Sequence, residues 1–173
     1  ALPEMIHLAK DAAETNPAGG SLRLDPDLKI PRYVSALDVH LMPGCFHTEH
    51  TKDDVAQGAV QVIGGEVFRG SFRHRKGNPG AVGDSIAHYL KLKHPDFDPK
   101  RILDLGCNTG KNLFPFLDVY LDAEAHGVDV GAPLLRYGHA VASHDGLPVH
   151  FSQQNAEHLN FEDNSFDIVT SSF

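Results

Sequence analysis

The ten residues Arg101-Ile-Leu-Asp-Leu-Gly-Cys-Asn-Thr-Gly110 constrain the fold more than any other part of this 173-residue chain. Ile102, Leu103 and Leu105 form a short apolar run that reads as a buried strand, and it passes directly into a turn holding Gly106 and Gly110. A helical segment is expected from Lys111. Asp104 lies inside the apolar run, near the strand's carboxyl end. It needs a partner there, because removing an unpaired charge from water is costly. Glycine lets the backbone approach a ligand closely and take positive φ. Ligands of open α/β sheets bind outside the carboxyl ends of the strands, so this turn reads as a cofactor site.

Two cofactor classes compete for it. Dinucleotide folds use G-x-G-x-x-G, whose glycines and helix N-terminus receive a pyrophosphate. Here the middle glycine is missing, and Asp104 precedes the loop. That carboxylate repels a pyrophosphate and suits a cationic ligand. The Asp104-Leu-Gly-Cys-Asn-Thr-Gly110 pattern resembles motif I of the class I S-adenosylmethionine-dependent methyltransferases, with Asn108 where a common form has Gly. Asn tolerates left-handed geometry better than most residues, so the turn is expected to survive the exchange.

The following segments extend the resemblance. Residues 125–130 read as a second strand ending in Asp129, 25 residues after Asp104, which leaves room for one helix and a return. In the resembled family an acid there accepts hydrogen bonds from both ribose hydroxyls. Residues 133–142 read as a helix with Pro133 in its first turn, and 148–153 alternate like a third strand. Asn155-Ala156-Glu157-His-Leu159 is similar to the family's Asp-Ala-Glu-x-Leu segment at the adenine edge, with Asn155 for the usual Asp. Residues 161–172 match the run into a fourth strand. The resemblance implies a Rossmann-like, doubly wound, mostly parallel α/β sheet with S-adenosyl-L-methionine as cofactor. It implies binding by Asp104, Gly106, Cys107, Asn108, Gly110, Asp129, Val130, Asn155, Ala156 and Glu157, and methyl transfer to a small-molecule acceptor. No catalytic residue is assigned. A non-catalytic S-adenosylmethionine-binding module and a nicotinamide-dependent dehydrogenase are the alternatives.

The net charge of −8, with Arg73-His-Arg-Lys76 the one short basic cluster, disfavours nucleic acid as a partner. Two cysteines, Cys45 and Cys107, imply no disulfide framework. No stretch has the apolar length of a membrane span. Residues 1–10 carry Glu4 and Lys10 and lack a signal-peptide core, so a cytoplasmic location is expected. The chain starts with Ala and stops at the fourth expected strand, where the resembled family has seven in the order 3-2-1-4-5-7-6. It is therefore read as a fragment, inactive alone and marginally soluble, because a bare apolar edge invites aggregation, with a genuine minimal variant as the alternative.

Residues 1–80 read as an N-terminal extension covering the substrate side, and 81–173 as the first half of the cofactor domain. Leu2, Ile6, Ala9 and Ala13 fall on one helical face within 1–15. Residues 21–32 read as irregular, and 31–41 as a short helix. The β-like runs 59–63 and 66–69 around Gly64-Gly65 read as a hairpin. Residues 70–80 read as a loop and 83–94 as a helix. The cluster Cys45-Phe-His47-Thr-Glu49-His50 leaves three readings open: metal ligands, a substrate-facing loop offering a His base, or a solvated loop. Its spacing fits no common zinc pattern, so no metal is assigned.

Overall fold

A computed structural model describes residues 2–16, 19–36, 45–69 and 82–172. The elements run α1 (Leu2–Thr15), β1 (Ser21–Arg23), α2 (Arg32–Ser35), α3 (Ala56–Arg69), α4 (Val82–Lys93), β2 (Arg101–Leu105), α5 (Phe114–Val119), β3 (Glu124–Asp129), α6 (Ala132–Asp145), β4 (Val149–Gln153) and β5 (Ile168–Ser171). The strands form one sheet in the order β1-β4-β3-β2-β5, and every neighbouring pair is parallel. The four strands after residue 100 therefore take the 3-2-1-4 arrangement that the resemblance implied.

One sheet face carries Ile102, Ala125, Val149, Phe151 and Ile168, and these pack with Ala87 of α4, Phe116 and Leu117 of α5, and Leu135 and Ala142 of α6. The opposite face carries Leu103, His126 and His150 in register. There the His126 and His150 rings stack at 5.1 Å, and Phe161 and Phe166 meet His126 edge-on.

Three expectations are corrected. Residues 21–32 contain a strand: β1 joins the sheet edge beside β4, pairing Leu22 with Phe151. Gly20 permits this, since a Cβ there would stand 2.5 Å from the Val149 carbonyl oxygen. A three-residue strand carries too little alternation to be read from sequence.

The expected hairpin at 59–69 is instead part of helix α3. Asp54 starts it, one carboxylate oxygen accepting the Ala56 N–H at 2.7 Å and the other the His50 N–H at 2.7 Å. Gly58 lies against Tyr137 and Pro133 of α6, and a Cβ there would meet Tyr137 Cβ at 2.3 Å. The β-like look of the sequence came from Val60, Ile63 and Val67, which are exposed on the helix.

The helix expected from Lys111 begins only at Phe114. Residues 111–113 continue the turn, with the N–H groups of Leu113 and Phe114 both donating to the Gly110 carbonyl. The basic cluster 73–76 lies outside the described residues, as do all but the start of the helix expected at 31–41 and its stop.

Candidate functional site

The carboxyl ends of β2, β3 and β4 converge on the turn 106–110. The Cys107 N–H donates to the Val128 carbonyl at 2.9 Å, joining the turn to β3. Gly106, Asn108 and Gly110 take φ of 66°, 56° and 83°. Asn108 thus adopts the left-handed conformation expected of it, and its Oδ1 accepts the Thr109 N–H at 2.8 Å, the local bond that offsets the strain. Gly110 is required twice over, since a Cβ would also meet the Phe114 and Phe151 rings at 2.5 and 2.9 Å.

Asp104 is 2% exposed. Its partner is Thr170 on β5, whose Oγ1 donates to Oδ1 at 2.8 Å. Burial pushes the Asp104 carboxyl up to about 6; the Thr170 bond opposes the rise and the charge of Asp129 adds to it. Asp129 accepts the Asn108 N–H at 2.9 Å on one oxygen and the Gly131 N–H at 2.8 Å on the other. Burial pushes its carboxyl up as well, against the pull of the backbone N–H groups of Gly131, Asn108 and Val130. Two carboxylates that resist ionisation thus stand at neighbouring strand ends.

The Cys107 side chain turns into the core, where a Cβ on Gly127 would come within 2.7 Å of its Sγ. Burial pushes this thiol well up, with the Asp129 and Asp104 charges adding to the effect. The thiol stays neutral and unreactive, so only the Cys107 backbone borders the turn. Asn155 organises its own turn: Oδ1 accepts the Glu157 N–H at 3.0 Å and Nδ2 donates to Glu157 Oε2 at 3.3 Å. Ala156 and Glu157 are exposed beside it.

Three neighbours were missed by sequence reasoning. Gly138 of α6 lies against the turn, where a Cβ would stand 2.6 Å from the Thr109 carbonyl oxygen. Tyr33 of α2 reaches the Glu157 carboxylate; loss of water contact pushes its phenol up, and Glu157 adds to the rise. Gln153 links β1 to β3. None belongs to a motif, and each is brought in only by the tertiary fold.

The 45–50 loop anchors rather than projects. Cys45 is buried, and Glu49 accepts a hydrogen bond from Arg136, which also donates to the Asp54 carbonyl at 3.2 Å. Among the described residues no group of three or more His, Cys, Asp or Glu side chains is placed to hold a metal ion. The His47 and Glu49 side chains border a cavity of about 310 Å³ with Leu24, Leu28, Arg136 and Gln153.

Residues 102–173 match the family described as Methyltransferase domain. The demethylmenaquinone methyltransferase of Thermus thermophilus is 39% identical over 75 residues, covering 43% of this chain and 34% of the relative. The ubiquinone/menaquinone biosynthesis C-methyltransferase UbiE of Bartonella tribocorum is 35% identical over 85 residues, covering 47% and 33%. The chain thus spans about a third of the length of these relatives. The S-adenosylmethionine-bound structure of CalS10, an amino pentose methyltransferase from Micromonospora echinaspora, aligns at a TM-score of 0.45 and 21% identity, covering 64% of this chain and 42% of that one. No helix among the described residues is long and apolar enough to cross a membrane.

Proposed function

We propose that this chain binds S-adenosylmethionine at the carboxyl ends of β2 and β3 and serves methyl transfer to a small-molecule acceptor. The observation that carries the reading is the pair of carboxylates, Asp104 and Asp129, flanking a turn with three left-handed residues. Their negative charge opposes a pyrophosphate and attracts a sulfonium or ammonium group.

Each proposed contact has a physical basis. Asp129 holds one backbone N–H on each oxygen, and a carboxylate oxygen has lone pairs for a second donor such as a ribose hydroxyl. Gly106, Cys107, Asn108 and Gly110 border the cofactor through their backbone. Val130 flanks the adenine, and the 155–157 turn offers it the Asn155 amide. A bound S-adenosylmethionine supplies the electrophilic methyl group and the driving force, while the protein's part is orientation and proximity.

Small-molecule acceptors fit the relatives, which are named for menaquinone and ubiquinone methylation, and the charge of −8 argues against nucleic acid. Two buried, unpaired thiols suit a reducing compartment such as the cytoplasm. Incubating the protein with S-adenosylmethionine and a panel of quinols and phenols, read by release of S-adenosylhomocysteine, tests transfer. Acceptor-dependent release is expected. Binding without release from any acceptor would favour the non-catalytic module.

A further inference from the structure

Gln153 is the last residue of β4, and both ends of its side-chain amide are used. Nε2 donates to the Val130 carbonyl at 2.9 Å, and Oε1 accepts the Asp25 N–H at 3.1 Å. Val130 directly follows Asp129. Asp25 lies two residues beyond β1, the strand that the N-terminal region adds to the sheet edge.

The next residue reinforces the link, since the Gln154 N–H donates to the Asp129 carbonyl at 3.1 Å. The short turn 129–131 is therefore held from three directions: by the glycine-containing turn through Asn108, by the β4 backbone through Gln154, and by the N-terminal region through Gln153. The bridge demands a side chain with one donor and one acceptor at its tip. Glutamate in its charged form supplies no donor for the Val130 carbonyl, and alanine supplies neither group.

We propose that Gln153 is a positioning residue for the adenosine end of the cofactor, and that through it β1 becomes part of the binding site. The inference rests on the proposed S-adenosylmethionine site and extends it to the N-terminal region. The amide fixes the Val130 peptide, and with it the direction in which Asp129 and Val130 face a ligand. A bridge on the adenosine side acts equally on every ligand that carries adenosine, whatever is attached to its sulfur.

The test is calorimetric titration of the protein with S-adenosylhomocysteine and 5′-methylthioadenosine, for the parent, Gln153→Ala, Gln153→Glu and Asp129→Ala. Both Gln153 variants are expected to bind the two ligands roughly three- to tenfold more weakly at pH 8, by the same factor for each ligand. For Gln153→Glu the gap from the parent at equal pH should narrow towards pH 5, because a protonated carboxyl regains the donor. A merely structural role would not give that pH profile. Amide hydrogen exchange gives a second readout: the Asp25 N–H should be protected in the parent, exposed in Gln153→Ala, and still protected in Gln153→Glu at pH 8, whose carboxylate keeps the acceptor. If Asp129→Ala weakens binding while both Gln153 variants stay within twofold of the parent, the bridge has no role and the site reading stands. If the parent binds neither ligand, both fall.

Discussion

The Asp129 carboxylate accepts the backbone N–H of Asn108 at 2.9 Å, so the acid ending β3 holds the turn that leaves β2. One side chain thus holds the fold at the place where the cofactor site is proposed. At the strand end alone, Asp129 would be expected to matter for ligand binding and little for stability. With two backbone N–H groups dependent on it, Asp129→Ala is expected to cost about 1–3 kcal/mol in unfolding free energy and to weaken cofactor binding as well. Denaturant unfolding beside calorimetry measures the two losses. An unchanged unfolding midpoint would contradict the structural role.

Asn108 sits at φ 56° with its side chain bonded to the Thr109 N–H. Asn108→Gly should be nearly neutral in stability, because glycine takes this conformation without strain. Asn108→Val should cost about 1–2 kcal/mol or more, from the left-handed penalty on a branched residue. Chemical denaturation of the two variants distinguishes them, and equal stability would contradict the turn geometry.

Much of the C-terminal half was legible from sequence because its signals are local. Apolar runs of strand length, acids at strand ends and a glycine-containing turn mark Asp104, the 106–110 turn and Asp129 within the sequence itself. The N-terminal half was less legible because its elements are defined by what they pack on. β1 exists by pairing with β4. α3 is amphipathic towards α6, yet it exposes Val60, Ile63 and Val67, which blurred its periodicity into that of a hairpin. Thr170, Gln153 and Gly138 are ordinary residues until the fold brings them to Asp104, Val130 and Thr109.

The correction of the hairpin to α3 has a direct check. Gly64 and Gly65 have no neighbour within 4 Å of an added Cβ. Gly64→Ala and Gly65→Ala should each stabilise the protein by about 0.5–1 kcal/mol, the helix-interior gain of alanine over glycine. A tight hairpin turn at this position would instead make both substitutions destabilising. Unfolding midpoints decide the sign.

The raised Asp104 carboxyl sets a pH dependence. Its folded value of about 6 lies above the usual 3.8, so the folded state holds the proton more tightly than the unfolded chain. The protonated form therefore contributes stability at low pH, and that contribution is lost as pH rises from about 4 through about 6, by roughly 3 kcal/mol. Asp104→Asn should flatten this slope in denaturant unfolding measured from pH 4.5 to 7. Thr170→Val, which removes the bond favouring the ionised form, should shift the loss to higher pH. A cationic ligand favours the ionised form, so binding of S-adenosylmethionine should strengthen over the same interval more than binding of S-adenosylhomocysteine. A flat profile for the parent would contradict the raised carboxyl of the buried Asp104.

The central claim is that Asp104, the 106–110 turn and Asp129 form a site for S-adenosylmethionine and exclude a dinucleotide. Isothermal titration of the protein with S-adenosylhomocysteine and, separately, with NAD at pH 7.5 tests it most directly. The account predicts saturable binding of S-adenosylhomocysteine that Asp129→Ala weakens, and no measurable heat from NAD. Tighter binding of NAD, or no binding of S-adenosylhomocysteine, would contradict it.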